Sequence, residues 1–435
     1  MEPEIAGLIG TAVFLILVII GVWVGFAAAA VGIIGIAILK SWGTAGGVAG
    51  FLPYTVTASF SLSVIPMFII MGFFAHYGGV TRDLFTTARH WFGHLPGGLA
   101  IATIFGSAGF GACCGSSQAA AAVMGKVAIP EMKRYNYDSK LAAGAAASAG
   151  TLAVMIPPSI NMVIYGVLTE QSVGKLFIAG VFPGILEATL FAITVYAWSR
   201  IVPGIGAALP AATWKQRFAS LKGSGGMLII AAVVIGGIYA GVFTPTEAGG
   251  IAAISALVIA MVSRQLTWAN FKDSLLDTGK TTAMIFLTLI GILVLLRFLA
   301  LSGTVRLFIS SLLGLPVPPL GTLIIIIFIY LILGMFVSVI GMLMLTLPVF
   351  FPIIVELGYD PIWFGILVVT VSEIAFITPP VAMNIYAVKA VSPDIPTEEI
   401  IKGVLPFLAM AVVFIVIIIA FPDIATWLPG TMKGG

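Results

Sequence analysis

Charge is scarce in this chain. Asp, Glu, Lys and Arg make up 9% of its 435 residues, against about 25% in a soluble domain. No stretch is long and polar enough to fold as a soluble domain of its own. Cysteine is limited to Cys113 and Cys114, and two adjacent cysteines make neither a disulfide framework nor a metal site. Histidine is limited to His76, His90 and His94, with no thiolate or carboxylate ligand pattern around them. His90 and His94 stand one helical turn apart, a spacing metals accept, but a wet amphipathic face explains them better. No GxxxxGK[ST] phosphate loop occurs, which argues against ATP hydrolysis by this chain. No enzymatic constellation is present. The start, MEPEIAG, lacks the basic region of a signal peptide, so the first helix is expected to stay.

What is abundant is apolar surface. Hydrophobic residues are 60% of the chain and the mean hydropathy is +1.18. Runs such as Leu8–Ile20, Met227–Ile238 and Leu320–Ile332 recur along its length, which places the chain in a lipid bilayer. The pattern predicts an all-α polytopic membrane protein with five crossings and one re-entrant hairpin per half. In the first half (1–199) the crossings fall at roughly 5–22, 25–39, 61–77, 140–169 and 176–198, with the hairpin at 97–131. In the second half (227–435) they fall at roughly 227–243, 246–263, 281–301, 362–390 and 403–421, with the hairpin at 317–353. Residues 80–94 mix apolar and basic side chains at helical spacing and read as a helix lying in the interface. Residues 200–226, with Arg200, Lys215, Arg217 and Lys222, read as a cytoplasmic linker.

Part of the chain is written twice. Pro130 is followed, after six intervening residues, by Tyr137-Asp138, then Pro157-Pro158, Ile164-Tyr165 and a Gly-Val-Phe-Pro run at 180–183. Pro352 is followed in the same way by Tyr359-Asp360, Pro379-Pro380, Ile385-Tyr386 and a Gly-Val-Leu-Pro run at 403–406. The shift is 222 residues, with a one-residue slip afterwards, and it lays Ser116 on Ser338. Helices broken at matching places in a duplicated membrane unit point to a secondary transporter and its binding site.

Five crossings is an odd number, so the second half is expected to enter from the opposite side as an inverted repeat. With the linker in the cytoplasm, 15 of the 20 Lys and Arg residues fall inside. Lys40, Lys175, Arg297, Arg306 and Lys433 fall outside. That is a positive-inside bias, and it puts both termini in the periplasm.

The arms of hairpin 97–131 have about 15 residues, or about 22 Å, short of the ~30 Å hydrocarbon core. The chain therefore turns at depth, with Cys114-Gly115-Ser116-Ser117-Gln118 as its tip. Irregular backbone at that depth survives only inside protein or beside a water-filled cavity. Serine hydroxyls and freed carbonyls suit Na⁺, and the amide ends of half-helices suit an anion. Residues Gly334 to Gly341, with Ser338, repeat the arrangement. Pro157-Pro158 forces a helix break between Gly150 and Pro157, and Pro379-Pro380 forces one between Ser372 and Pro380, with Thr378 beside it. Asn161 and Asn384 follow these breaks and either cap the restarted helix or face the cavity.

Four ionisable residues lie near membrane depth, each a functional candidate by default. Glu373, inside the second break, is either a coupling carboxylate or a structural partner of broken backbone. Glu247 in FTPTEAGG is expected to stand in the first turn of a helix capped by Thr244 or Thr246. Arg297 is expected to snorkel from a crossing end. Glu187 has no partner visible in the sequence.

The runs FGACCGSSQAAAAVMGKVAIPEMKRYNYD and GTLAVMIPPSINMVIYGVLTEQSVGKLFIAGVFPGI, with GIYAGVFTPTEAGG and the second hairpin, resemble the large membrane subunit of tripartite ATP-independent periplasmic (TRAP) transporters. The resemblance covers essentially the whole chain. It implies Na⁺-coupled import of an organic acid such as a C4-dicarboxylate, sialic acid or a sugar acid. It also implies a small four-helix membrane subunit, a periplasmic substrate-binding protein and a bacterial inner-membrane location. The implied movement is elevator-like. Carried onto this chain, one Na⁺ site takes Ser116, Ser117 and the backbone near Gly150–Thr151. The other takes Ser338, Gly341 and the backbone near Ser372–Thr378. Substrate is expected between the tips, at Ser117, Gln118, Asn161, Ser338 and Asn384. Rival readings are a stand-alone Na⁺- or H⁺-coupled anion transporter without a binding protein, and a channel or purely structural subunit.

Overall fold

The computed structural model describes residues 2–432, so Lys433 lies outside the described residues. In chain order the helices are α1 (Pro3–Ile19), α2 (Val24–Leu39), α3 (Trp42–Thr57), a 3₁₀ turn (Phe60–Ser63), α4 (Val64–Tyr77), α5 (Val80–Phe92), α6 (Gly98–Cys114), α7 (Ser117–Arg134), α8 (Ser139–Ala149), α9 (Leu152–Met155), α10 (Ile160–Thr169) and α11 (Val173–Ile201). The second half continues with α12 (Trp214–Tyr239), α13 (Pro245–Val262), α14 (Trp268–Leu301), α15 (Thr304–Leu313), α16 (Pro319–Gly334), α17 (Val339–Glu356), α18 (Pro361–Ala375), α19 (Met383–Val391), α20 (Thr397–Ala420) and α21 (Asp423–Gly430). Among the described residues there is no strand.

The duplicated motif has a local meaning in both copies. The Asp of each Tyr-Asp pair starts a broken helix. Asp138 Oδ1 accepts from Lys140 N at 2.7 Å to begin α8, and Asp360 Oδ1 accepts from Trp363 N at 2.8 Å to begin α18. Pro361 then stands at the first helical position, where its missing N–H is no loss. Asp138→Ala and Asp360→Ala are each expected to lower stability by about 1 kcal/mol, the usual worth of an N-cap. Thermal unfolding in detergent reads this directly, and an unchanged midpoint for both variants would remove the capping role.

Among the described residues seven helices are long and apolar enough to cross a bilayer, and the pair Ser139–Met155 plus Ile160–Thr169, bent by 41°, makes an eighth when counted as one span. Helices α1 and α2 have 17 and 16 residues; at 1.5 Å per residue, 16 residues cover about 24 Å.

Several boundaries differ from those read off hydropathy. The linker is shorter than 200–226, because α11 runs to Ile201 and α12 begins at Trp214. A capping box between Thr213 and Gln216 starts α12, and its first turns are polar, so a count of apolar residues misses them. In the same way Thr267 caps α14 at Asn270 N, and this helix begins 13 residues before the expected 281. Helix α3 fell in no expected crossing. Its glycines and Pro53 are poor helix formers, yet Ala45, Leu52 and Val56 are buried and the helix packs on α2 and α14; tertiary packing outweighs a poor propensity. Helix α3, the 3₁₀ turn and α4 stand in the first half where the single 34-residue α14 stands in the second. A helix is found at the expected place as α5, pinned to the first hairpin by Arg89, which donates to Glu131 and, at 2.9 Å, to Tyr135 Oη.

Packing between the halves is reciprocal. Helix α2 lies along α14, and its counterpart α13 along α4. Helix α7 packs on α19 and α17 on α10; α8 packs on α20 and α18 on α11. Small residues permit the closest approach. A Cβ on Gly144 of α8 would stand 2.2 Å from Gly403 O of α20, and one on Gly403 would stand 2.0 Å from Lys140 O. The hairpins and broken helices thus form one interlocked block, and α2, α4, α13 and α14 form a second block beside it.

Candidate functional site

Both hairpins turn where expected. Helix α6 ends at Gly115, whose φ of +56° favours glycine, with its N–H bonded back to Gly111 O. Ser116 then caps α7 by accepting from Ala119 N at 3.4 Å. In the second hairpin Met335–Ser338 separate α16 from α17, and Ser338 Oγ accepts from Gly341 N at 3.3 Å. The matched serines therefore share a structural duty as helix caps.

The broken helices break differently. In the first, Gly150 and Thr151 interrupt α8 and α9, and residues 156–159 are non-helical before Ser159 caps α10. In the second, helix α18 continues through Ser372 and Glu373 to Ala375, so the break lies at 376–382, later than its expected start. Helix α18 packs on α11 and α16, and its residues Ile366–Ala375 are all buried, so tertiary packing carries the helix past Ser372.

Tip 1 and the first break meet closely. A Cβ on Gly150 would stand 2.7 Å from Ser117 O, 2.9 Å from Ala121 Cβ and 3.0 Å from Asn384 Nδ2. Tip 2 presses on the end of α18, where a Cβ on Gly334 would stand 2.5 Å from Ala375 Cβ. A cavity of about 380 Å³ lies between the two tips. Ser116, Ser117 and Gln118 line it from tip 1, and Phe336, Ser338, Val339 and Ile340 from tip 2. Asn161 at the start of α10 and Glu373 at the end of α18 close its inner wall. The opposite wall comes from residues Val18 to Val24, Trp23 among them, and from Thr281, Met284, Ile285 and Thr288 of α14. Glu373 is the one ionisable side chain among these lining residues.

Four buried side chains from both halves make up a polar network of two hydrogen-bonded pairs. Asn161 Nδ2 donates to Glu373 Oε1 at 3.2 Å. Asn384 Nδ2 donates to Ser117 Oγ at 2.7 Å and to Ala147 O at 3.2 Å. Each asparagine thus crosses to the broken helix of the other half. Two acceptors in this network have no partner: Glu373 Oε2 and Asn384 Oδ1. Both are buried, and a buried acceptor left unpaired costs about 1–3 kcal/mol, more when charged.

The sequence candidates divide accordingly. Ser116, Ser117, Gln118, Asn161, Ser338 and Glu373 come together at the cavity. Asn384 does not line it; its side chain is fully buried beneath tip 1. Gln118 donates to Met383 Sδ at 2.8 Å. Ser372 Oγ donates to Val368 O at 2.6 Å and Thr378 Oγ1 to Ile374 O at 2.7 Å, so both hydroxyls serve their own helix. Thr151 Oγ1 turns away from tip 1, donating to Ser148 O at 2.8 Å and to Glu187 Oε1 at 3.2 Å. Glu247 completes the capping box with Thr244, and Arg297 is exposed. His90 Nδ1 pairs with Thr86 O and His94 with Arg217, so these two histidines do not converge. The α14 threonines and Trp23 gave no sequence signal, because nothing in a scaffold helix marks which face meets a cavity built elsewhere in the chain.

Comparison with known proteins places this architecture. The family model described as "Tripartite ATP-independent periplasmic transporter, DctM component" matches residues 11–424. The C4-dicarboxylate TRAP transporter large permease DctM of Pseudomonas aeruginosa is 36% identical over 379 residues, 86% of this chain and 88% of that protein. The sialic acid large permease SiaM of Vibrio cholerae is 32% identical over 377 residues, covering 86% and 88%. The ectoine/5-hydroxyectoine large permease UehC of Ruegeria pomeroyi is 33% identical over 370 residues, covering 85% and 86%. Among solved structures, the Alcanivorax borkumensis YdaH transporter superposes with a TM-score of 0.61 at 15% identity, over 87% of this chain and 88% of that one, a likeness of fold. With matched hairpins, paired breaks and a family model spanning nearly its whole length, the chain belongs to the DctM family, the large membrane permeases of TRAP transporters.

Proposed function

We propose that this permease imports a small organic acid by Na⁺ symport, with the hairpins and broken helices moving as one elevator block against the α2, α4, α13 and α14 scaffold. The observation that carries the reading is the pair of unpartnered buried oxygens, Glu373 Oε2 and Asn384 Oδ1, beside Ser117 of tip 1. Oxygen acceptors without donors suit a hard cation, and no Lys, Arg or His lines the adjoining cavity. Ser117 brings its backbone oxygen to the same junction, against Gly150, which has no side chain to obstruct it. At the second tip, Ser338 and the backbone of Gly341 and of residues 372–378 are the corresponding candidates.

The electrostatics set an order of events. Helices α7, α10 and α17 all begin at the cavity, and their free N–H groups favour an anion. An anionic substrate also meets Glu373, and like charges at close range in a low dielectric repel strongly. Cation binding neutralises Glu373 first and so prepares the site for the acid. Ordering the tip before movement also avoids carrying unpaired backbone past the scaffold.

The C4-dicarboxylate, sialic acid and ectoine relatives indicate a small carboxylate-bearing substrate. A small four-helix membrane subunit and a periplasmic substrate-binding protein complete the assembly in the bacterial inner membrane, with both termini of this chain periplasmic and its halves related as an inverted repeat. The reciprocal packing of the halves supports that last relation.

The test needs no substrate. Purified protein is melted in NaCl, KCl and choline chloride at equal ionic strength. Na⁺ at about 100 times its dissociation constant is expected to stabilise by about 2.7 kcal/mol, and Ser117→Ala and Asn384→Leu are expected to weaken the effect. Equal melting in all three salts would reject sodium at this site.

A further inference from the structure

We infer that Glu187 is a positioning residue for the tip-1 ion site, acting through Thr151; the inference rests on the sodium reading above. Glu187 is the middle residue of the 29-residue α11, so each helix end is about 21 Å away. Its side chain is 2% exposed. A carboxyl at that depth costs several kcal/mol unless it has a function or a partner. Among the described residues no Lys, Arg or His forms an ion pair with it. Its one side-chain partner is Thr151 Oγ1, at 3.2 Å.

The place of that contact gives it meaning. Thr151 lies in the two-residue interruption between α8 and α9, where i→i+4 bonding gives way to tighter i→i+3 bonds, Thr151 N to Ser148 O at 3.1 Å and Val154 N to Thr151 O at 3.2 Å. On one side of the interruption, Gly150 meets Ser117 O of tip 1 and the amide of Asn384. On the other side, Thr151 shares its single hydroxyl hydrogen between Ser148 O and Glu187. Glu187 therefore buttresses the turn from behind while the ion junction forms in front. A hydroxyl bonded only to Ser148 O would leave Thr151 tied to its own helix, with nothing on α11 to fix the direction of the neighbouring carbonyls. Sequence gave Glu187 no partner because Thr151 lies 36 residues away on another helix.

The experiment is a double-mutant cycle on Na⁺-dependent uptake in proteoliposomes holding the complete transporter, with hydrogen exchange across residues 148–155 read in parallel. Glu187→Leu and Thr151→Val are each expected to raise the Na⁺ concentration for half-maximal rate by about 10-fold or more, the usual loss when a partner behind a metal ligand is removed. The double variant is expected to be no worse than either single one. Glu187→Gln keeps the hydrogen bond and is expected to restore wild-type Na⁺ affinity within about 2-fold. Exchange at 148–155 is expected to quicken in the Leu and Val variants even without Na⁺. Additive losses would overturn the inference, as would wild-type behaviour of Glu187→Leu. Failure of the Gln variant to restore affinity would also overturn it and make Glu187 a direct cation ligand. If wild-type uptake shows no Na⁺ dependence, the sodium reading fails, and the exchange data alone still decide whether Glu187 holds the turn.

Discussion

Glu373→Gln is expected to abolish Na⁺-driven uptake while making the Na⁺-free protein more stable. The two effects have one cause. Glu373 is 2% exposed, holds a single hydrogen bond from Asn161 Nδ2, and leaves Oε2 unpartnered. Without a bound cation that carboxyl either holds an uncompensated charge at membrane depth or takes up a proton, and both cost stability. The amide has nearly the same shape and no charge, so the empty state is expected to gain about 1–3 kcal/mol, the usual cost of a buried acceptor left unpaired. The same change removes the charge that draws the cation in, and uptake is expected to fall by about 100-fold or more, equivalent to about 2.8 kcal/mol. Loss of activity with a gain of stability is the usual relation at a strained functional site. Melting in choline chloride and counterflow in proteoliposomes measure the two halves of this prediction. A variant that is less stable without Na⁺ would make Glu373 a structural partner of the break.

Gly150→Val is expected to be about as damaging to transport, through packing alone. The space for a side chain at Gly150 is already taken by Ser117 O, Ala121 Cβ and Asn384 Nδ2, all within 3.0 Å of a Cβ. One of these is backbone and cannot swing aside. Overpacking a filled interior costs about 1–3 kcal/mol, and pushing Asn384 away from Ser117 Oγ and Ala147 O leaves buried donors unpaired at about 1–3 kcal/mol more. The scaffold block does not touch this junction, so the protein is expected to insert and fold. Na⁺-selective stabilisation is expected to disappear and uptake to drop by about 100-fold, which is about 2.8 kcal/mol. Retained Na⁺ selectivity in Gly150→Val would sink the tip-1 site, because no ion ligated at that junction could survive the added side chain.

Much of this protein was legible without coordinates. Apolar runs set the all-helical membrane class, since a bilayer leaves the backbone few other ways to satisfy itself. Pro157-Pro158 and Pro379-Pro380 marked the broken helices, because two missing donors cannot be hidden in a helix. The crossings expected from 140 and 362 begin within one residue of Ser139 and Pro361, and Ser116 and Ser338 marked the tips. These are signals of local covalent chemistry: they depend on a residue and a few neighbours. Helix starts that rely on polar turns, as at Trp214 and Trp268, were missed because hydropathy measures contact with lipid, not hydrogen bonding.

The tertiary structure decided the partnerships. Asn161 meets Glu373 across 212 residues, and Asn384 meets Ser117 across 267. That crossing moved Asn384 from the cavity wall to the support of tip 1, and packing within the first half gave Glu187 its threonine. It also supplied Trp23, Thr281 and Thr288 as the far wall of the cavity. Spacing along a chain fixes which face of one helix a residue occupies, but not which helix will lie against that face. Here the second choice is made by close packing between the halves, and only the folded molecule contains it.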